Sequence, residues 1–256
     1  MSFIEAFIFG LLQGLTEFLP VSSSAHVKLA KILFQIESSE AQVIFDLVCH
    51  LGTLLALLLF LREEIMQIFL RDRRKLLHLF LATLPLIPFY FLLKPLRDFA
   101  SQPRFLGVCL ILTGMILFSG QKWKRQRAAK QKLSDLFWIG TMQSAALIPG
   151  ISRSASTISC ATFLGWEARE AVRFSFLLSI PTIIGGNCLE ILKLAVFHKM
   201  PPVPISACLV GGITAFAVGF FVVRFALSFL EKGNFRPFAW YCFGLGALVT
   251  IYLSWG

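Results

Sequence analysis

Gln13-Gly-Leu-Thr-Glu-Phe-Leu-Pro-Val-Ser-Ser-Ser-Ala-His26 is a polar stretch broken at Pro20 and set inside an apolar run that covers residues 3–34. A second stretch, Gln143-Ser-Ala-Ala-Leu-Ile-Pro-Gly-Ile-Ser-Arg-Ser-Ala155, echoes it with small gaps inside the apolar run 133–165. In each, a proline interrupts a helix and leaves backbone N–H and C=O groups without their usual i−4 partners. The cost of those groups depends on the solvent, which the composition decides.

Of 256 residues, 57% are hydrophobic and 15% charged, with a mean hydropathy of +0.76, values far from those of soluble domains. Lipid is therefore the main solvent, and the 27 phenylalanines suit a lipid-facing surface. A net charge of +10 could point to nucleic acid, but the basic residues gather in short loops between apolar runs, so no nucleic-acid partner is expected. Cys49, Cys109, Cys160, Cys188, Cys208 and Cys242 form no C-x-x-C pair and read as small packing residues. The N-terminus lacks a basic n-region, and its apolar stretch runs straight into a polar motif, so no cleavable signal peptide is expected.

Six apolar runs, near 42–61, 76–93, 103–119, 170–191, 203–230 and 236–255, approach the roughly 20 helical residues that cross a hydrocarbon core of about 30 Å. The excess of Lys and Arg orients them. Five lie in 62–75 and six in 121–132, and Arg169, Arg173, Lys232 and Arg236 bring the total to fifteen, against five in the loops on the opposite side. This places 62–75, the basic loop 121–132 and 231–236 in the cytoplasm, and 35–41, 94–102, 192–202 and the C-terminus outside. Segments 3–34 and 133–165 then read as re-entrant, because non-helical backbone survives at membrane depth only where protein or a watery cavity satisfies it.

Each broken segment is followed by three crossings, and the two segments enter from opposite sides. The expectation is an all-α polytopic membrane protein with an inverted-topology repeat, 1–120 and 133–256, in one integral membrane domain over 1–256. The two breaks would face one interior cavity.

The side chains there suit phosphate. Gln13 and Glu17 are four apart and share a helical face. A carboxylate within an apolar segment is expensive and functional by default, although a structural ion pair is its bland alternative. After Pro20, Ser22, Ser23 and Ser24 look like a helix start whose free N–H groups attract anions. His26 follows Ser22 and Ser23 by four and three residues, so imidazole and hydroxyl can meet on one face as base and nucleophile. Ser152, Arg153, Ser154 and Thr157 supply hydroxyls and a planar guanidinium that can grip two phosphate oxygens at once.

With Phe174-Ser-Phe-Leu-Leu-Ser-Ile-Pro181, these motifs make the sequence resemble the undecaprenyl-diphosphate phosphatase, or bacitracin-resistance protein, family over essentially the whole chain. The resemblance implies a multi-pass enzyme of the bacterial inner membrane. It would remove the terminal phosphate of undecaprenyl diphosphate to recycle the lipid carrier for cell-wall synthesis, with a site opening toward the periplasmic side. It implies catalytic roles for Glu17, Ser23, His26 and Arg153, and substrate binding by Gln13, Ser22, Ser24, Ser152, Ser154 and Thr157. It also implies a divalent cation, Mg2+ or Ca2+, with Glu17 and Gln13 as candidate ligands. The family's first acidic position is Gln13 here, which puts a two-carboxylate mechanism in doubt. Asp46 and His50 stand four apart as outlying candidates, and Arg224 is left outside the site. Ser23, His26 or water activated by Glu17 could be the nucleophile. Expected partners are the lipid diphosphate and bilayer lipid, with a homodimer as a candidate assembly. A lipid-phosphate flippase is the alternative function, since broken inverted repeats are also a transporter architecture.

Overall fold

The computed structural model describes residues 1–36, 39–122, 132–197 and 204–255, and among them every regular element is helical. The basic residues Lys124, Arg125, Arg127 and Lys130 of the expected cytoplasmic loop, and part of loop 192–202, lie outside the described residues.

Helix α1 (Phe3–Thr16) starts at Ser2, whose hydroxyl accepts from the Glu5 N–H while its own N–H donates to the Glu5 carboxylate. This reciprocal cap satisfies two first-turn donors that lipid could not. The chain breaks around Pro20 and resumes as α2 (Ser23–Leu33). The second broken segment repeats the pattern: α9 (Leu133–Ser144), a 3-10 turn over Ala145–Leu147, and α10 (Arg153–Phe163).

Between and after them lie α3 (Glu40–Phe60), α4 (Arg62–Arg71), α5 (Arg73–Thr83), α6 (Leu86–Leu92), α7 (Lys94–Ala100), α8 (Leu106–Lys122), α11 (Ala168–Phe197), α12 (Ile205–Leu230) and α13 (Arg236–Trp255). Six spans are long and apolar enough to cross a membrane: Glu40–Phe60, Arg73–Leu92, Pro103–Lys122, Ala168–Val196, Ile205–Leu230 and Arg236–Trp255. They coincide with the six runs read from the sequence, with ends displaced by a few residues. The second span is jointed, because Pro85 between α5 and α6 has no N–H to give back to the preceding turn.

Lipid tails are as apolar as leucine, so close packing rather than hydrophobic exclusion joins membrane helices. Gly10 of α1 meets α12 so tightly that an added Cβ would lie 2.4 Å from the Gly211 carbonyl oxygen. Gly140 of α9 meets α5 in the same way, 2.3 Å from the Ala82 carbonyl oxygen. Each of these glycines stands three residues before its motif's glutamine, and each touches a crossing from the other side of the basic loop. A third tight contact joins α8 to α13 through Gly107 and Gly246.

Apart from the breaks, charged residues form two groups of contacts. In one, Glu64 pairs with Lys75 (2.8 Å) and Arg173 (3.0 Å), Arg173 pairs with Glu231 (2.8 Å), and Gln121 accepts from the Phe235 N–H (2.9 Å). A cavity of about 730 Å³ lies there, lined by Glu64, Arg71, Lys75 and Arg173 among others. In the other, Lys28 donates to the Ser101 carbonyl, Lys31 pairs with Asp46, and Arg97 and Lys193 lie over the Tyr90 ring. No disulfide occurs among the six free cysteines, and Cys188 departs from the packing expectation because its stretch of α11 is exposed.

Candidate active site

The two breaks are built alike. Each contains one residue in the left-handed region, Ser22 at φ +69° and Gly150 at φ +102°. Each is followed by a helix capped by serine: Ser22 Oγ accepts from the Ala25 N–H (3.4 Å), and Ser152 Oγ from the Ala155 N–H (3.3 Å). Each cap hydroxyl touches a second serine two residues on, Ser24 or Ser154, at 3.2 Å in both cases. The breaks also hold each other, since the Gly150 N–H donates to Ser24 Oγ (3.4 Å) and Ser154 Oγ donates to the Leu19 carbonyl (3.3 Å).

Across this junction the side chains converge on Glu17, which is 9% exposed. Its Oε1 accepts from Arg153 Nη2 at 3.2 Å, and its Oε2 from Ser23 Oγ at 2.7 Å and Gln13 Nε2 at 2.9 Å. Arg153 also donates to the Ser175 carbonyl (3.4 Å), and the Ser175 hydroxyl meets Thr157 Oγ1 at 2.6 Å. A serine hydroxyl on a carboxylate that is itself held by a guanidinium is an activated-nucleophile arrangement.

His26 does not join Ser23. Its Nδ1 turns back to the Ser22 carbonyl (2.8 Å) and its Nε2 meets the Tyr241 hydroxyl (2.7 Å), while Ser23 points away toward Glu17. The three-residue spacing permits the pairing, but both partners have stronger ones elsewhere. His50 enters the cluster instead, with Nδ1 2.8 Å from Gln13 Nε2 and 3.6 Å from Glu17 Oε2. Asp46 pairs with Lys31 and hydrogen-bonds Gln42, and Arg224 is exposed.

The donor set does not fit a cation held by the protein alone. No group of three His, Cys, Asp or Glu side chains suited to a metal occurs among the described residues, and Glu17 is the one carboxylate in the cluster. Both its oxygens already accept from Arg153, Ser23 and Gln13, whereas hard cations take several oxygen ligands.

The model of the bacitracin resistance protein BacA family matches residues 6–248. The chain belongs to that family. A protein named undecaprenyl-diphosphatase from Protochlamydia amoebophila (strain UWE25) is 42% identical over 99% of this chain and 100% of its own length. Undecaprenyl-diphosphatase 4 of Bacillus cereus (strain ZK / E33L) is 35% identical over 97% and 96% of the two chains. The undecaprenyl-diphosphatase of Thermodesulfovibrio yellowstonii is 35% identical over 96% of each.

Two residues that the sequence reading passed over stand out in this member of the BacA family. Tyr241, on the last helix, carries no local signal of a role among its aromatic neighbours. Gln143, the counterpart of Gln13, is 1% exposed; its Oε1 accepts from Thr182 (3.2 Å) while its buried Nε2 has no partner among the described residues. Only the echo between the two motifs pointed to it.

Proposed function

We propose that the chain hydrolyses undecaprenyl diphosphate to undecaprenyl phosphate and inorganic phosphate, which recycles the lipid carrier and confers bacitracin resistance. The observation that carries this reading is the contact of Ser23, Glu17 and Arg153 across the two breaks, in a chain whose relatives are named diphosphatases. None of the observations above favours a flippase.

In the proposed mechanism Glu17 takes the Ser23 proton as the hydroxyl attacks the terminal phosphorus. The P–O bond to the lipid monophosphate breaks, and that monophosphate leaves as a stable anion needing little acid assistance. Arg153 and the N–H groups at the starts of α2 and α10 neutralise charge on the equatorial oxygens, the dominant contribution in phosphoryl transfer. Ser22, Ser24, Ser152, Ser154 and Thr157 orient the headgroup. Gln13 holds Glu17. Glu17, the cluster's one carboxylate, and Gln13 would be the protein's ligands to any Mg2+ or Ca2+ ion bound chiefly by the diphosphate's own oxygens.

The architecture proposed with this function is an inverted repeat whose two broken segments re-enter the bilayer. The matched glycine contacts, caps and reciprocal serine bonds support it. We assign the Glu64–Arg173 end to the cytoplasm and the site's mouth, where Ser24 is exposed, to the outer side of the inner membrane. Single cysteines placed in 121–132 and 94–102, in a background without the native cysteines, should label from opposite sides. Labelling from one side would sink the threading.

Phosphate release from the lipid diphosphate by purified protein tests the chemistry. Glu17→Ala and Arg153→Ala should each remain folded and lose release; full activity in both would overturn the site.

A further inference from the structure

The Ser22 carbonyl can only accept, so the His26 Nδ1 2.8 Å away must carry a proton. In the neutral imidazole the lone pair then sits on Nε2, and the Tyr241 hydroxyl, 2.7 Å away with its ring nearly parallel at 5°, is the group that donates to it. His26 is 9% exposed and Tyr241 48% exposed. The imidazole's one free lone pair is thus covered by the Tyr241 hydroxyl. The position of Tyr241 is set from behind: its neighbour Cys242 is fully buried, with Sγ facing the Pro20 carbonyl at 3.9 Å. Helix α13 is anchored at the first break, and Tyr241 is presented to His26 as a result.

Glu17 already serves Ser23, so His26 is free for a different proton. We propose that Tyr241 is the positioning residue through which His26 acts as general base in the second half of the reaction, a role that rests on the Ser23 reading above. Water bound at the Tyr241 oxygen gives a proton to that oxygen as the phenolic proton passes to His26 Nε2. The resulting hydroxide attacks the phosphorus held on Ser23, and the P–O bond to serine breaks. Ser23 recovers the proton kept on Glu17, inorganic phosphate leaves, and His26 returns its proton to water. Each hydroxyl and the imidazole end as they began. The Ser22 carbonyl fixes the tautomer of His26, and Tyr241 holds its lone pair and links the buried base to the attacking water.

The test is Tyr241→Phe in the detergent-solubilised full chain with undecaprenyl diphosphate, a change that keeps the ring and removes only the hydroxyl. Steady-state kcat should fall about 100-fold, the scale of a lost general-base relay, with KM little changed. In rapid mixing, undecaprenyl phosphate should still appear in a stoichiometric burst at the wild-type rate, followed by slow phosphate release. The doubly substituted protein, with His26→Gln as well, should be no slower than His26→Gln alone, because the two residues act as one unit. Unchanged kcat in Tyr241→Phe, or losses that multiply in the double variant, would overturn the proposal. Equal slowing of burst and steady state would do the same. Full turnover by Ser23→Ala would instead remove the covalent step and the burst with it, while the Tyr241–His26 cycle on steady-state turnover would still decide the relay. Thermal unfolding of each variant separates these outcomes from loss of fold.

Discussion

The first break and the second share a skeleton and differ in cargo. Both have a proline, a left-handed residue, a serine cap and a Ser-x-Ser pair, yet one carries Glu17 and His26 where the other carries Arg153 and Thr157. The skeleton solves a problem that both share, satisfying broken backbone inside the bundle. In the proposed function the cargo is divided so that acid–base chemistry comes from one side and anion binding from the other. Ser23 and Arg153 make the point most sharply, because each is the residue directly after its cap serine.

The comparison predicts a ranked set of effects. Exchanging the charges, Glu17→Arg with Arg153→Glu, keeps an ion pair across the junction but moves the carboxylate off Ser23. Phosphate release should fall by about 1,000-fold or more, the combined scale of a lost base and a lost anion ligand, although the protein stays folded. Recovery of activity by the exchange would show that only the pair matters and would break the division of labour.

Next come the shared parts, where matched substitutions should match in effect. Gly10→Ala and Gly140→Ala each push a methyl into a backbone carbonyl, and each should destabilise the protein by about 1–3 kcal/mol, the usual cost of overpacking. Thermal unfolding in detergent would read both, and a loss confined to one would break the equivalence. Ser22→Ala and Ser152→Ala each remove a cap and should cost about 1 kcal/mol of stability by the same measurement. The smallest effect belongs to Gly185→Ala, where a Cβ meets nothing within 4 Å; helix propensity should make it neutral or stabilising by up to about 1 kcal/mol. A clear loss of stability there would mean that this face of α11 is covered by a neighbour.

Much of this was legible in the sequence because the bilayer imposes long periods and strong penalties. Six spans follow from run length alone, and the two breaks announce themselves by proline beside hydroxyls in apolar surroundings. The pairing of Gln13 with Glu17 follows from helical spacing. Spacing failed at His26, because it states which side chains can meet and not which partner is better. Ser23 found a carboxylate six residues back across the break, and His26 found a carbonyl in its own turn. Tyr241, 215 residues from His26, comes to it only through the packing of α13 beside α8 and the first break, and no local pattern encodes such a meeting.

The bond between Glu17 and Arg153 also sets the terms on which a ligand arrives. With its acid and base paired, the waiting cluster keeps no isolated charge at depth, and so avoids the penalty of an unpaired buried ion. On the proposed function, a diphosphate would not fill a vacant electrostatic well; it would displace a carboxylate from a guanidinium. Binding is then an exchange of one anion for another, and its free energy is the difference between two similar contacts. On that reading the same exchange would run in reverse after hydrolysis, with Glu17 as the built-in competitor that helps to eject inorganic phosphate and reset the cluster.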